Sequence, residues 1–432
     1  MLCRIPRLAR LIADRYQDIF RDAGISYSML CLFIAMTLCG IPSFAQLVLI
    51  ASFSPSGSTL SRNAAKFNED TMNRTQRRLA SSVLARVLAT PDEWIWVADT
   101  TSNIKRTDGI KGGGNWANSK NEIFYGQNLM VLCAVNKNTG ASIPILWRPC
   151  IKKLDQKEGD NNHDLLIEMI DCILSQNWPK LVICLDSWFD SAKLMEALNA
   201  RKITFAVQLK SSRKPKLSPS PRHPKIKLVD IFSKMNRKSC RVTTRESIQI
   251  VNNSVKGIRY VAGAKIWIAG SGKNAKQIQL NVSAVYNHHN ERNAFGYYAT
   301  NDLSAPNIWS WKMSRFRWNI EVGFRDLRQG LNWGKFEAKN PNSANLSLML
   351  PILIQGYLKE NAPNQPLLGV LDAVRNVENI ATLDYHAKCP NNSQARVIKL
   401  RFFEHFRKTV GLGTAEIAIY GNNHVLPFKK AA

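Results

Sequence analysis

Three acids, Asp99, Asp186 and Glu321, are the residues of this chain best placed to do chemistry together. Phosphodiester cleavage by two metal ions needs several carboxylates converging on ions roughly 3.5 to 4 Å apart, because each ion clamps one oxygen of an in-line displacement. Mg²⁺ prefers such hard oxygen ligands. Asp99 closes the apolar run WIWVAD and Asp186 closes LVICLD, so both are expected where strands of an α/β sheet emerge. Such an acid can equally be a turn residue or a helix N-cap, and strand position alone leaves both readings open. Asp190, four residues after Asp186, is expected to cap the helix beginning at Ser191.

The third acid lies in RFRWNIEVGFRDLRQGL. Helical spacing there puts Ile320, Phe324, Leu327 and Leu331 on one buried face, and Arg317, Glu321 and Arg328 at i, i+4 and i+11 on another. Arginines flanking an acid are commonly helix-surface ion pairs worth roughly a few tenths of a kcal/mol. They can equally grip a phosphate while the acid binds metal.

The elements that must position these acids can be read from periodicity. WIWVADT, NLMVLCAVN and ASIPILWRPC read as a three-strand meander, HDLLIEMIDCILSQN as a helix, LVICLD as a buried strand and SAKLMEALNAR as a second helix. That order suits an RNase H-like α/β core with a mixed sheet. Residues 1–88 read as a helical N-terminal region suited to DNA-end binding, 89–202 as the first part of the core, and 203–302 as a β-rich insertion. Residues 303–360 complete the core with the helix of Glu321, and 361–432 form a helical C-terminal region suited to dimerisation.

Charge narrows the partner. With 59 Lys and Arg against 32 Asp and Glu, the formal net charge of +27 points to a polyanion, most simply a nucleic-acid backbone. Lys210 to Lys227 holds seven Lys or Arg, four prolines and no acid, so it can be a solvated extended loop or can track phosphates. Nine cysteines without a C-x-x-C pair read as reduced and structural in a cytoplasmic protein. No charge falls between Asp22 and Arg62, but Gly40, Pro42, Ser43 and Gln46 interrupt that stretch. Two packed helices suit it better than a membrane span.

With these motifs in hand, the chain resembles the DDE transposases of bacterial insertion sequences, over roughly Trp94 to Leu350. The nearest likeness is the cut-and-paste group with a Tyr-x2-Arg-x3-Glu-x6-Lys signature. WIWVADTTSNIKR supplies the first acid, LVICLDSWFDSAKL the second and RWNIEVGFRDLRQ the third. Arg317 and Glu321 match the signature, Arg328 stands at its Lys and Ser314 at its Tyr. The arginine keeps a phosphate ligand with different geometry, while the serine removes an aromatic hydroxyl, which alters how a DNA end would be held.

The resemblance implies cleavage and strand transfer with two Mg²⁺ or Mn²⁺ ions held by Asp99, Asp186 and Glu321. It also implies a homodimer on double-stranded element ends and target DNA, associated with the nucleoid. Arg317, Arg325, Arg328, Lys105, Arg106, Lys210, Arg213 and Lys214 are the expected DNA contacts. Some relatives stack a flipped base on an aromatic of the β insertion, for which Phe295, Tyr297, Tyr298 and Trp267 are candidates. A DNA-binding relative without catalysis and a structure-specific nuclease without strand transfer are the competing readings.

Other signals are weaker. GSGKNAK at Gly270 fails the P-loop pattern, with Trp267 and Asn274 at the required Gly and Ser/Thr positions. Gly112 to Gly114 reads as a flexible loop or a phosphate cradle, and His288 and His289 lack zinc-ligand spacing.

Overall fold

The computed structural model describes residues 7–371 except 42, 45–54, 105–109, 118–122, 152–161, 221, 236–240, 244–257, 270–275, 289, 292, 335–339, 366 and 370. Lys105 and Arg106 therefore lie outside the described residues. The chain divides into two compact units, one drawn from residues 1–75, 327–357 and 365–432, the other from 76–326 and 358–364.

In the first unit, α1 (Arg7–Asp22) buries Ile12, Tyr16, Ile19 and Phe20 along one stripe, as an amphipathic helix must. The uncharged stretch after it becomes α2 (Tyr27–Leu38), capped by Ser26 and buried from Met29 to Leu38. At 12 residues it is far shorter than a bilayer requires, and no helix among the described residues is long and apolar enough to cross a membrane. α3 (Gly57–Ala64) follows, and α4 (Glu69–Ala89) begins in this unit and continues into the second from Gln76.

The second unit is organised by strand β1 (Trp94–Ile104). Trp94 to Ala98 are all buried, the pattern of a strand covered on both faces. After β2 (Gly114–Ala117), β3 (Ile123–Asn136) pairs antiparallel with β1 from Trp94↔Asn136 to Ile104↔Gly126, and β4 (Ser142–Pro149) pairs with β3. The expected meander thus gains a short extra strand, β2, on the far side of β3. Helix α5 (Asn162–Leu174) buries Leu166, Met169, Ile170 and Ile173, and returns the chain to β5 (Ile183–Leu185), parallel to β1. α6 (Ala192–Ala200) crosses over to β6 (Phe205–Leu209), parallel to β5.

The order β4-β3-β1-β5-β6, with both parallel and antiparallel pairs and flanking helices, is the mixed α/β architecture of an RNase H-like core. The β-rich residues that follow extend the same sheet. After α7 (Leu228–Ser233) come β7 (Arg241–Thr243), β8 (Ile258–Ala269), β9 (Gln277–Tyr286) and β10 (Gly296–Thr300), giving the edge order β6-β10-β9-β8-β7. β6 itself, at the start of the stretch read as an insertion, is a parallel core strand. A short buried run cannot reveal its pairing partner, so only the fold shows this.

The glycine run begins in a tight turn, closed by the Gly113 N–H to Ile110 carbonyl bond. Gly112 and Gly114 have positive φ, and a Cβ on Gly112 would meet the Cys150 carbonyl oxygen at 2.6 Å. The chain then continues through α8 (Trp309–Arg315) and α9 (Trp318–Gly330) to α10 (Pro341–Asn361).

Candidate catalytic carboxylate site

Asp99 is not at a strand end. It lies in the interior of β1, opposite Val131 of β3. On its other side β1 pairs with β5 only at Trp96↔Ile183 and Val97↔Cys184, and β5 ends one residue later, at Leu185. Carrying that register two residues further sets Asp186 level with Asp99, on the same face of the sheet. The early end of β5, rather than the end of β1, is what opens the sheet at the two acids.

Asp186 is held by its own turn. Its Oδ1 accepts the Trp188 backbone N–H at 2.8 Å and so caps the 3₁₀ turn Ser187–Phe189. That turn sets Trp188 at the surface, 42 % exposed, with its ring edge-on to Phe189 (5.0 Å) and His163 (5.9 Å). Spacing gave no reason to single out Trp188. Its only sequence signal is a large aromatic directly after a strand-end acid and serine.

Glu321 enters from α9, whose buried face carries Ile320, Phe324 and Leu327 as the periodicity predicts, with Leu331 buried just beyond its end. Arg317 is not on this helix. Together with Phe316 it forms the turn between α8 and α9. From there its Nη1 reaches Glu321 Oε1 at 2.6 Å and Asp99 Oδ2 at 3.2 Å. One guanidinium nitrogen thus ties the acid of the helix to the acid of the strand. Ser314, at the signature Tyr position, donates its hydroxyl to the Trp311 carbonyl of its own helix at 2.8 Å. Arg325 and Arg328 are exposed further along α9.

Asp99 feels the charges of both other acids. Burial pushes the Asp99 carboxyl up to about 6, and the negative charges of Asp186 and Glu321 push the same way, while Arg317 and the Thr100 N–H oppose them. Asp99 binds more protons folded than unfolded between about pH 4 and pH 6, so its ionisation costs stability as pH rises through that window. Asp99→Asn is therefore expected to raise Tm at neutral pH, by on the order of 1–2 kcal/mol of stability, and to do little near pH 4. Thermal melts at both pH values check this, and an equal effect at the two would refute the charge as its cause.

The donor chemistry suits a hard divalent cation: three carboxylates, two of them raising the proton affinity of the third, with one guanidinium between Asp99 and Glu321. Among the described residues no three such side chains are already arranged as a metal-binding set. Arg317 lies between two of them.

Asp190 does not cap the following helix. Ser191 does, accepting the Leu194 N–H, while the Asp190 carboxylate turns inward and is 2 % exposed. It pairs with Arg213 Nε at 2.5 Å and accepts the Lys210 N–H at 2.9 Å, and Arg213 Nη2 also donates to the Asp190 carbonyl. Arg213 is thus engaged inside the protein. It anchors the basic segment 210–227, which is folded back by Ile226 N–H to Pro215 O and Leu228 N–H to Arg213 O, and joined to β8 by the Lys216↔Trp267 bridge. These hydrogen bonds make the segment folded back rather than extended, while Lys210, Lys214, Arg222, Lys225 and Lys227 stay exposed.

Two cavities adjoin this segment and share Lys210 and Ser212. One, of about 490 Å³, is lined by Ser187, Gln208 and Phe295 among others, and one, of about 300 Å³, by Lys214, Lys216, Lys225 and Trp267 among others. Of the stacking candidates, Phe295 is 53 % exposed and Trp267 partly buried, while Tyr297 and Tyr298 are buried. Tyr298 packs with Val261, Val285 and Trp311, and Tyr297 lies 5.8 Å from the Phe232 ring, so core packing accounts for both.

Comparison with known families agrees with this geometry. No curated protein matches the chain. Residues 100–354 match the family model described as Transposase DDE domain, a stretch of more than half the chain that includes Asp186 and Glu321 and begins one residue after Asp99. The sheet, the converging acids and the span of that match together make this chain a member of the DDE transposase family, with a transposase-type function.

Proposed function

We propose that this chain cuts the ends of an insertion-sequence element and joins them to target DNA, as a homodimer of the group with the Tyr-Arg-Glu-Lys signature. What supports the reading is Arg317, which joins Asp99 and Glu321 at 3.2 and 2.6 Å, together with the β1/β5 register that, carried two residues further, brings Asp186 level with Asp99. Asp99, Asp186 and Glu321 would hold the ions. Two divalent ions, Mg²⁺ or Mn²⁺, would supply a polarised nucleophile and charge at the leaving oxygen. The chain's own side chains bind and orient the DNA around that point. Arg317 lies in the connection to α9, and Arg325 and Arg328 lie on that helix, while Lys105 and Arg106 follow β1 in the sequence. Lys210 lines both cavities, next to Ser187 in one and to Asp190 in the other, where Lys214 joins it, with Arg213 as the anchor of the segment.

The direct test is incubation with Mg²⁺ or Mn²⁺ and DNA carrying the inverted repeats that flank the coding region. Nicked ends and, later, ends joined to a second DNA are expected. Cleavage without any joining would leave a nuclease, and binding without cleavage would defeat the enzymatic reading.

The basic segment makes a separate, sequence-independent prediction. Replacing Lys210, Lys214 and Lys225 together by Gln is expected to lower DNA affinity and to flatten its salt dependence by about one unit of log–log slope per lysine. Fluorescence anisotropy across a salt series measures both. An unchanged slope would remove this segment from the DNA path.

A further inference from the structure

Arg317 is the one residue that contacts both Asp99 and Glu321 among the ion pairs of the site, and it does so through a single nitrogen, 3.2 Å from one carboxylate and 2.6 Å from the other. A positive charge therefore already lies between the two acids to which the proposed function assigns metal. A guanidinium and a divalent ion cannot share those oxygens at full strength, because each carboxylate lone pair given to one is lost to the other. Arg317 is also placed to leave. It lies in the turn between α8 and α9 rather than within a helix, its side chain is 21 % exposed, and the neighbouring Trp318 is 44 % exposed. Its release requires side-chain rotation and no unwinding of α9.

We propose that Arg317 is an exchangeable counter-ion: it neutralises Asp99 and Glu321 until a divalent ion takes these carboxylates, and then turns to a DNA phosphate. Divalent ion and DNA would thereby bind with positive cooperativity through this side chain. The inference rests on the metal-dependent reading above. By linkage the coupling must be reciprocal, so the factor by which the ion tightens DNA equals the factor by which DNA tightens the ion.

The test uses the full chain, Ca²⁺ as a probe ion and a short duplex of arbitrary sequence, with calorimetry for the ion and anisotropy for the DNA. Wild type is expected to show weak Ca²⁺ binding alone and a coupling of about 5- to 150-fold with DNA. Arg317→Gln is expected to bind Ca²⁺ more tightly than wild type in the absence of DNA, and to lose most of the coupling. Arg317→Lys keeps a charge but, as a compact ammonium, grips the two carboxylates and a phosphate less well, so it is expected to fall between the two. It also serves as the control if the Gln variant folds poorly. Unchanged or weaker Ca²⁺ binding by Arg317→Gln, or coupling equal to that of wild type, overturns the proposal. Failure of the metal reading looks different: Ca²⁺ binds neither protein, or binds equally well after Asp99→Asn.

Discussion

Asp186→Asn, Asp99→Asn and Glu321→Gln are each expected to reduce strand cleavage by on the order of a thousandfold or more, since losing a metal ligand forfeits several kcal/mol of transition-state charge stabilisation. Each change keeps the side chain's shape and removes its charge. Loss of activity would therefore not reflect loss of packing. The three are not equally placed. Glu321 is tethered by Arg317 at 2.6 Å, Asp186 by the Trp188 N–H at 2.8 Å, and Asp99 is more buried than Glu321, with its carboxyl raised to about 6. The discriminating measurement is cleavage beside thermal melting on the same preparations. For Asp99→Asn, activity should collapse while Tm rises, a combination that general unfolding cannot produce. A variant that keeps full cleavage would remove its residue from the site.

Asp190→Ala is expected to cost about 3 kcal/mol of stability, the low end of the range for breaking a buried ion pair, because the partner Arg213 retains some access to solvent. The carboxylate is 2 % exposed, and its loss leaves Arg213 Nε and the Lys210 N–H without their acceptor, with only the Arg213 Nη2 bond to the backbone carbonyl of residue 190 kept. Burial pushes the Asp190 carboxyl above the usual range, and Arg213 and the Lys210 N–H counter this, so the pair is held against a desolvation cost. Asp190→Asn, which keeps an acceptor for Lys210, should lose less. Differential scanning calorimetry separates the two variants. Because Asp190 stands four residues from Asp186 and anchors the basic segment, Asp190→Ala should also weaken DNA binding. Unchanged stability would show that Arg213 finds equivalent partners elsewhere.

A good part of the site was legible without a structure. WIWVAD and LVICLD have the composition of buried strands, and the acid closing each apolar run stands out against it. The period of IEVGFRDL puts Ile320, Phe324 and Leu327 inside, and they are buried. Local signals failed where two local readings competed. Asp190 has the composition of a helix cap, yet Ser191 has it too and sits one residue nearer the helix, which leaves Asp190 available to Arg213. Arg317 fits the helical spacing to Glu321 as an i,i+4 pair, but that spacing cannot tell a helix residue from the turn just before it.

By itself the sequence determined the class of the core, the acids and arginines available to it, the polyanion its charge favours, and the strands and helices of the sheet. These depend on composition and on periods of two and 3.6 residues, which are properties of neighbours along the chain. The tertiary structure alone decided that Asp99 lies in the interior of β1, beside the point where β5 stops short, and that the β-rich residues after β6 extend the core sheet. It alone brought Arg317 to Asp99, 218 residues away. Each of those outcomes is a matter of register between distant segments, set when strands pair and helices pack, and no local pattern of residue types encodes it.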